Sequence, residues 1–128
     1  MAAAQTILLV DDSATIRNII KIYLMGMQFE FLEADRAERA LTIVKGAPVH
    51  LIIADVNMPG MDGLTFVRTI RASDKLPLKN VPIIMLTGEK AEEVRAQGVA
   101  AGANAFILKP VTSSNLREAI ARILPPLK

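Results

Sequence analysis

The sequence of 128 residues contains no cysteine and no tryptophan, with one tyrosine and one histidine. The lack of cysteine excludes disulfides and thiolate metal centres, which fits a reducing, cytoplasmic setting. Long apolar runs are missing as well. Hydrophobic residues make up 52% of the chain, yet they come in short blocks, none near the ~18–20 residues of a membrane span. No membrane insertion is expected. The first residues, MAAAQTILLV, lack a basic segment and run straight into a strand-like block, so no signal peptide is read. Basic clustering is absent too. Lys and Arg number 15 against 13 Asp and Glu, for a net charge of +2, and they are scattered along the chain. A nucleic-acid surface concentrates its cations in a stripe, so the expectation is a solvated mixed-charge surface that binds no nucleic acid. The length suits one domain over residues 1–128.

What is present is an alternation. Apolar blocks lie at Thr6–Val10, Phe29–Ala34, Val49–Ala54, Val81–Leu86 and Ala105–Leu108. Several are apolar at every position, as in parallel strands covered on both faces. Helical periods separate them. Ile16, Ile19, Ile20, Tyr23 and Leu24 share one face behind Ser13 as N-cap, and Asp35 is the expected cap of a helix carrying Ala40, Leu41 and Val44. Leu64, Val67 and Ile70 line a third helix; Leu116, Ile120, Ile123 and Leu124 line the last, stopped by Pro125–Pro126. The fourth helix, Glu89–Ala101, carries only Val94 and Val99 as sizeable apolar residues and contains Gly98. Helix stability comes mainly from packing an apolar face, so this helix is expected to be weakly anchored and mobile. Gly102 is its expected stop. The sum is an α/β domain of five βα units around a parallel sheet with helices on both faces.

In such sheets ligands sit beyond the carboxyl ends of the strands. Strand one ends in Asp11–Asp12, strand three in Asp55, strand four in Thr87 and strand five in Lys109–Pro110. Three carboxylates, a hydroxyl and an ammonium therefore converge. Crowded carboxylates raise at least one pKa unless a cation intervenes. An all-oxygen cluster suits a hard ion, Mg²⁺ above all. One carboxylate is then free to attack phosphorus, with the cation, Lys109 and Thr87 bound to the transferred oxygens. Singly, each residue has a plainer reading: Asp12 or Ser13 as helix cap, Thr87 as turn residue, Lys109 as surface charge. The joint pattern is what points to phosphoryl chemistry.

Val10-Asp11-Asp12-Ser13, then Asp55-Val56-Asn57-Met58-Pro59-Gly60-Met61-Asp62-Gly63, then Leu86-Thr87-Gly88-Glu89 and Leu108-Lys109-Pro110 resemble the receiver domain of two-component response regulators, closest to its chemotaxis members. The resemblance covers nearly the whole chain. It implies a flavodoxin-like (βα)₅ fold with strand order 2-1-3-4-5. It implies Asp55 as acceptor of a phosphoryl group from a histidine kinase, with Mg²⁺ as cofactor held by Asp12, Asp55, the Asn57 carbonyl and, through water, Asp11. Lys109 would pair with the phosphoryl oxygens, ahead of a cis Lys109–Pro110 bond. Thr87 would move toward the phosphoryl group, making room for the aromatic residue of strand five, Phe106, to turn inward. Chemotaxis members carry Tyr there; Phe106 keeps the ring but loses the hydroxyl. The surface of the fourth helix, fifth strand and last helix would then meet a downstream protein. Asn57, Gly88 and Glu89 would set the rate of self-dephosphorylation, and Lys90, Arg95, Arg117 and Arg122 would favour an acidic partner. Asp62–Gly63 reads as a turn and cap, His50 as a strand-edge residue, and the methionines Met25, Met27, Met58 and Met61 as core filler.

The implied protein is a monomeric switch, not an enzyme turning over an external substrate. A phosphorelay carrier and a receiver cut from a longer regulator are the alternatives. A haloacid-dehalogenase-type phosphatase uses similar groups but needs an Asp-x-Asp motif after strand one, whereas Asp11 and Asp12 are adjacent.

Overall fold

Each short apolar block is a strand in the computed structural model, which describes residues 5–88 and 92–124. The strands are β1 (Gln5–Val10), β2 (Phe29–Ala34), β3 (Leu51–Asp55), β4 (Ile83–Thr87) and β5 (Ala105–Leu108). All neighbouring pairs are parallel, in the order β2-β1-β3-β4-β5, the order that the family resemblance implied. β4 starts two residues later than the apolar run suggests, because Pro82 has no N–H to give to a ladder. Its carbonyl still accepts from the Ile52 N–H at 2.9 Å. His50 lies just before β3. Its N–H donates to the Thr6 carbonyl and its Nδ1 accepts from the Thr6 N–H, each at 2.9 Å, which is the strand-edge role expected of it.

The helices are α1 (Ala14–Tyr23), α2 (Ala37–Gly46), α3 (Gly63–Arg71), the one-turn α4 (Leu76–Lys79), α5 (Glu92–Ala101) and α6 (Ser113–Ile123). α4 has no counterpart in the periodicity argument, since four residues are too few to show a period. The fourth predicted helix is α5; Glu89, Lys90 and Ala91 lie outside the described residues, as do Pro125 and Pro126. Ser13 Oγ accepts from the Ile16 N–H at 3.2 Å, and Asp62 Oδ1 from the Thr65 N–H at 2.8 Å. These are side-chain N-caps of α1 and α3. Asp35 is not a cap. The N-cap of α2 is the extended Arg36, which makes no side-chain cap bond. That one intervening residue carries the Asp35 carboxylate away from the first-turn N–H groups, and it pairs with Arg39 at 3.3 Å instead.

Alternate residues of the sheet feed two cores. Leu8, Val10, Ile52, Ala54, Ile83 and Met85 pack under α2 and α3, and Ile7, Leu9, Leu51, Ile53, Ile84 and Leu86 under α1 and α6. That two-sided burial is why these strands read as unbroken apolar runs. Phe66 is fully buried on α3 beside Val67 and Ile70, a core position that the Leu64–Val67–Ile70 reading omits. Met58 joins the core, while Met25 is exposed and fills nothing. Of the described side chains of α5, only Gly98 and Ala101 are buried; Val99 is 60% exposed.

Candidate functional site

Parallel strands deliver their carboxyl ends to one edge. There, one oxygen from each of Asp11, Asp12 and Asp55 lies within 4.8 Å of the others. Lys109 Nζ stands 2.9 Å from Asp55 Oδ2 and 4.0 Å from Asp11 Oδ2. Asp11, Asp55 and Thr87 are 2%, 3% and 6% exposed, whereas Asp12 faces solvent. Ser13 serves as the cap of α1, so Asp12 is not spent on that task.

Backbone N–H groups orient the two buried carboxylates. Asp11 Oδ1 accepts from the Ser13 N–H at 2.9 Å, and Asp55 Oδ1 from the Asn57 N–H at 3.1 Å. Asp11 Oδ2 is buried without a hydrogen-bond partner. Burial is the main force pushing the Asp11 pKa above its ordinary value. The charges of Asp55 and Asp12 push the same way, against the Ser13 N–H and Lys109. Crowding thus raises one carboxyl, as the sequence suggests, but desolvation outranks repulsion. A buried carboxylate with one oxygen free of hydrogen bonds, grouped with two further carboxylates, fits a hard divalent cation such as Mg²⁺, which takes one or two protein carboxylates and completes its shell with water or phosphate oxygens.

The other predicted members fall around this pocket unevenly. The Lys109–Pro110 bond is cis, and the Lys109 N–H donates to the Thr87 carbonyl at 2.8 Å. Gly88 is exposed, with no described atom within 4 Å of where a side chain would project. Asn57 is exposed. Glu89 lies outside the described residues. Phe106 sits away from the carboxylates, its half-buried ring pressed onto Gly98 of α5, where a Cβ would collide with it. The β5 segment that carries Phe106 also borders a groove of about 370 Å³ lined by Arg95, Asn104, Asn115, Glu118 and Arg122. Arg95 and Arg122 therefore share a face, though Arg122 pairs with Glu118 at 3.1 Å. Arg117 does not join them: its guanidinium donates to the Tyr23 and Met25 carbonyls. Lys90 is outside the described residues.

Two contributors escape a motif reading. Gly63 does more than make a turn: a Cβ there would run into the Asp55 carbonyl and the Val56 Cα. Glycine lets α3 begin directly against the end of β3, with the Gly63 N–H donating to the Val56 carbonyl at 2.8 Å. Arg17, one turn into α1, donates to the Asp11 carbonyl. Its only sequence signal is its place four residues after Ser13.

An acidic, oxygen-only pocket with an ammonium beside it lies at the carboxyl edge of a doubly wound α/β sheet. The model of the response regulator receiver domain matches residues 7–121, and the chain belongs to that family. The chemotaxis protein CheY-3 of Vibrio cholerae is 37% identical, covering 94% of this chain and 92% of that protein. Chemotaxis protein CheY1 of Helicobacter pylori is 40% identical, covering 92% and 95%. Among solved structures, CheY4 of Vibrio cholerae superposes with a TM-score of 0.86 at 35% identity, covering 94% of this chain and 99% of that one. The chain is thus a CheY-like receiver of the two-component type. Receivers take phosphoryl groups from histidine kinases and act on downstream targets. Among the described residues no helix is long and apolar enough to cross a membrane.

Proposed function

We propose that this chain is a phosphorylation-activated switch in which Asp55 is the phosphoacceptor. The carrying observation is the placement of Lys109 Nζ 2.9 Å from Asp55 Oδ2, beside the orphaned Asp11 Oδ2. An Asp55 carboxylate oxygen attacks the phosphorus of a kinase phosphohistidine. The new P–O bond forms as the P–N bond breaks, and the imidazole leaves with a proton. Lys109 and Thr87 bind the transferred oxygens, where charge gathers in the transition state. Asp12, Asp55 and the Asn57 carbonyl would hold Mg²⁺, with Asp11 acting through water, and the bound cation would offset charge on the transferred group. A receiver domain of a sensor histidine kinase from Pseudomonas aeruginosa, 27% identical with a TM-score of 0.83, has magnesium coordinated in its active site cleft, which supports the assignment.

Phosphorylation adds about −1.5 to −2 charge. Thr87 follows the new oxygens, and the Phe106 ring and α5 respond. The face of α5, β5 and α6 then meets a protein target. Its exposed Val99 and Leu108 and its 370 Å³ groove support that role. Relatives covered over 92–95% of their length are chemotaxis proteins, which favours a switch of that pathway over a relay carrier. Asn57, Gly88 and Glu89 set the lifetime of the phosphorylated state.

The test is incubation with a small phosphodonor and Mg²⁺, read by intact mass. The native protein is expected to gain one phosphoryl group and Asp55→Asn none, and an Asn57→Lys variant to lose its group more slowly after donor removal. An Asp55→Asn protein labelled as fully as the native one would overturn the assignment.

A further inference from the structure

Asp11 is held from several sides. Its N–H donates to the Ala34 carbonyl at 3.1 Å and its Oδ1 accepts from Ser13. Its carbonyl accepts from Arg17 Nη1. Oδ2 makes no hydrogen bond among the described residues and lies 4.0 Å from Lys109 Nζ; Asp11 belongs to the acidic cluster. The Arg17 guanidinium is itself tied down. Its Nε donates to Glu33 Oε1 at 2.9 Å, and Glu33 Oε2 accepts from Lys21 Nζ at 2.8 Å. Glu33 is supplied by β2, in register with Leu9, on the face where Phe29 and Phe31 pack against the α1–α6 core. The Arg17 side chain is only 15% exposed, so its link to the Asp11 carbonyl is partly shielded from water.

We propose that Arg17, braced by Glu33, is a positioning residue that presets the Asp11–Asp12 turn for a divalent cation. This rests on the reading of the acidic pocket as a Mg²⁺ site. The guanidinium is aimed at the Asp11 carbonyl and at Glu33, not at the pocket carboxylates, so it acts by fixing the backbone that carries them. A planar fork is required, because two acceptors from different elements are held at once. A lysine ammonium at this position reaches one or the other. Partners that orient a metal ligand this way typically account for 10–100-fold in metal affinity.

The experiment is isothermal titration of the full chain with Mg²⁺, paired with thermal melts of the metal-free proteins. Arg17→Met is expected to weaken Mg²⁺ binding by about 10-fold or more, and Glu33→Gln to weaken it by a smaller factor. Arg17→Lys is expected not to restore it. Arg39→Met, which also deletes one cation and one ion pair from the surface, is expected to stay within about twofold of native. A stability role alone would lower the melting temperature of Arg17→Met and leave its Mg²⁺ affinity native, and that result overturns the inference. Should Arg17→Met not fold, native affinity in both Arg17→Lys and Glu33→Gln overturns it equally. A native protein that binds no Mg²⁺ removes the cation reading itself, which separates the two failures.

Discussion

Replacing Asp11 with asparagine is expected to make the metal-free protein more stable at neutral pH while abolishing most of its stabilisation by Mg²⁺. Asp11 is 2% exposed, has an unpartnered Oδ2, and sits with Asp55 and Asp12. A buried polar group without a partner costs about 1–3 kcal/mol. Asparagine keeps the oxygen that accepts from Ser13 and removes the buried charge, losing only the 4.0 Å contact of Oδ2 with Lys109 Nζ. The gain at pH 7 is therefore about 1–3 kcal/mol. The pH dependence fixes the sign. Burial raises the folded-state pKa of Asp11 above its unfolded value, so the native state binds more protons than the unfolded chain between the two pKa values. Stability contributed by this group falls as pH rises across that window and is fully lost above it. The advantage of asparagine should accordingly shrink as pH drops through the raised pKa, where native Asp11 takes up its own proton. With Mg²⁺ at 100-fold over its dissociation constant the native protein gains ~2.7 kcal/mol, and the variant should gain far less. Denaturant melts at two pH values, with and without Mg²⁺, make the comparison. An asparagine variant less stable than native at pH 7 without metal contradicts the account.

The second large effect is a coupling between Gly98 and Phe106. Glycine inside a helix costs about 1 kcal/mol relative to alanine, so its place in α5 needs a reason. The reason is that the Phe106 ring occupies the space of the missing Cβ. Gly98→Ala gains that propensity but forces ring or helix aside, and overpacking costs about 1–3 kcal/mol, for a net loss. With Phe106→Ala already in place the collision is gone, and the same substitution should stabilise by about 1 kcal/mol. The change of sign across the double-mutant cycle amounts to roughly 2 kcal/mol of coupling. Additive effects would mean that ring and glycine do not share this space. The pair also links the proposed output to helix packing, since Phe106 lies on the strand that borders the groove between α5 and α6.

The sheet was legible because β1, β3 and β4 are buried on both faces, which leaves an unbroken apolar signature. The strand order was not contained in that signature and came through the family resemblance. The pocket was legible because strand ends in a parallel sheet share an edge, so Asp11, Asp12, Asp55 and Lys109 needed only their chain positions to be brought together. Side-chain reach was harder to see. Asp35 misses the helix because one extended residue intervenes, and Arg117 turns to the carbonyls of Tyr23 and Met25 and away from the groove. Gly98 looked like a weakness of its helix until Phe106, eight positions along the chain, supplied the occupant of its missing side chain. Arg17 and Gly63 act through backbone atoms of Asp11 and Asp55, contacts that leave no pattern in residue type.

The central claim is that Asp55 carries the phosphoryl group between a divalent ion and Lys109. It is tested most directly by a crystal structure grown with Mg²⁺ and beryllofluoride, a stable mimic of a carboxyl phosphate. The account predicts the mimic on an Asp55 oxygen, the ion touching Asp12, Asp55 and the Asn57 carbonyl, and Lys109 Nζ in hydrogen-bond reach of a fluorine. An adduct on Asp11 or Asp12, or Lys109 turned to solvent with the mimic bound at Asp55, would contradict it.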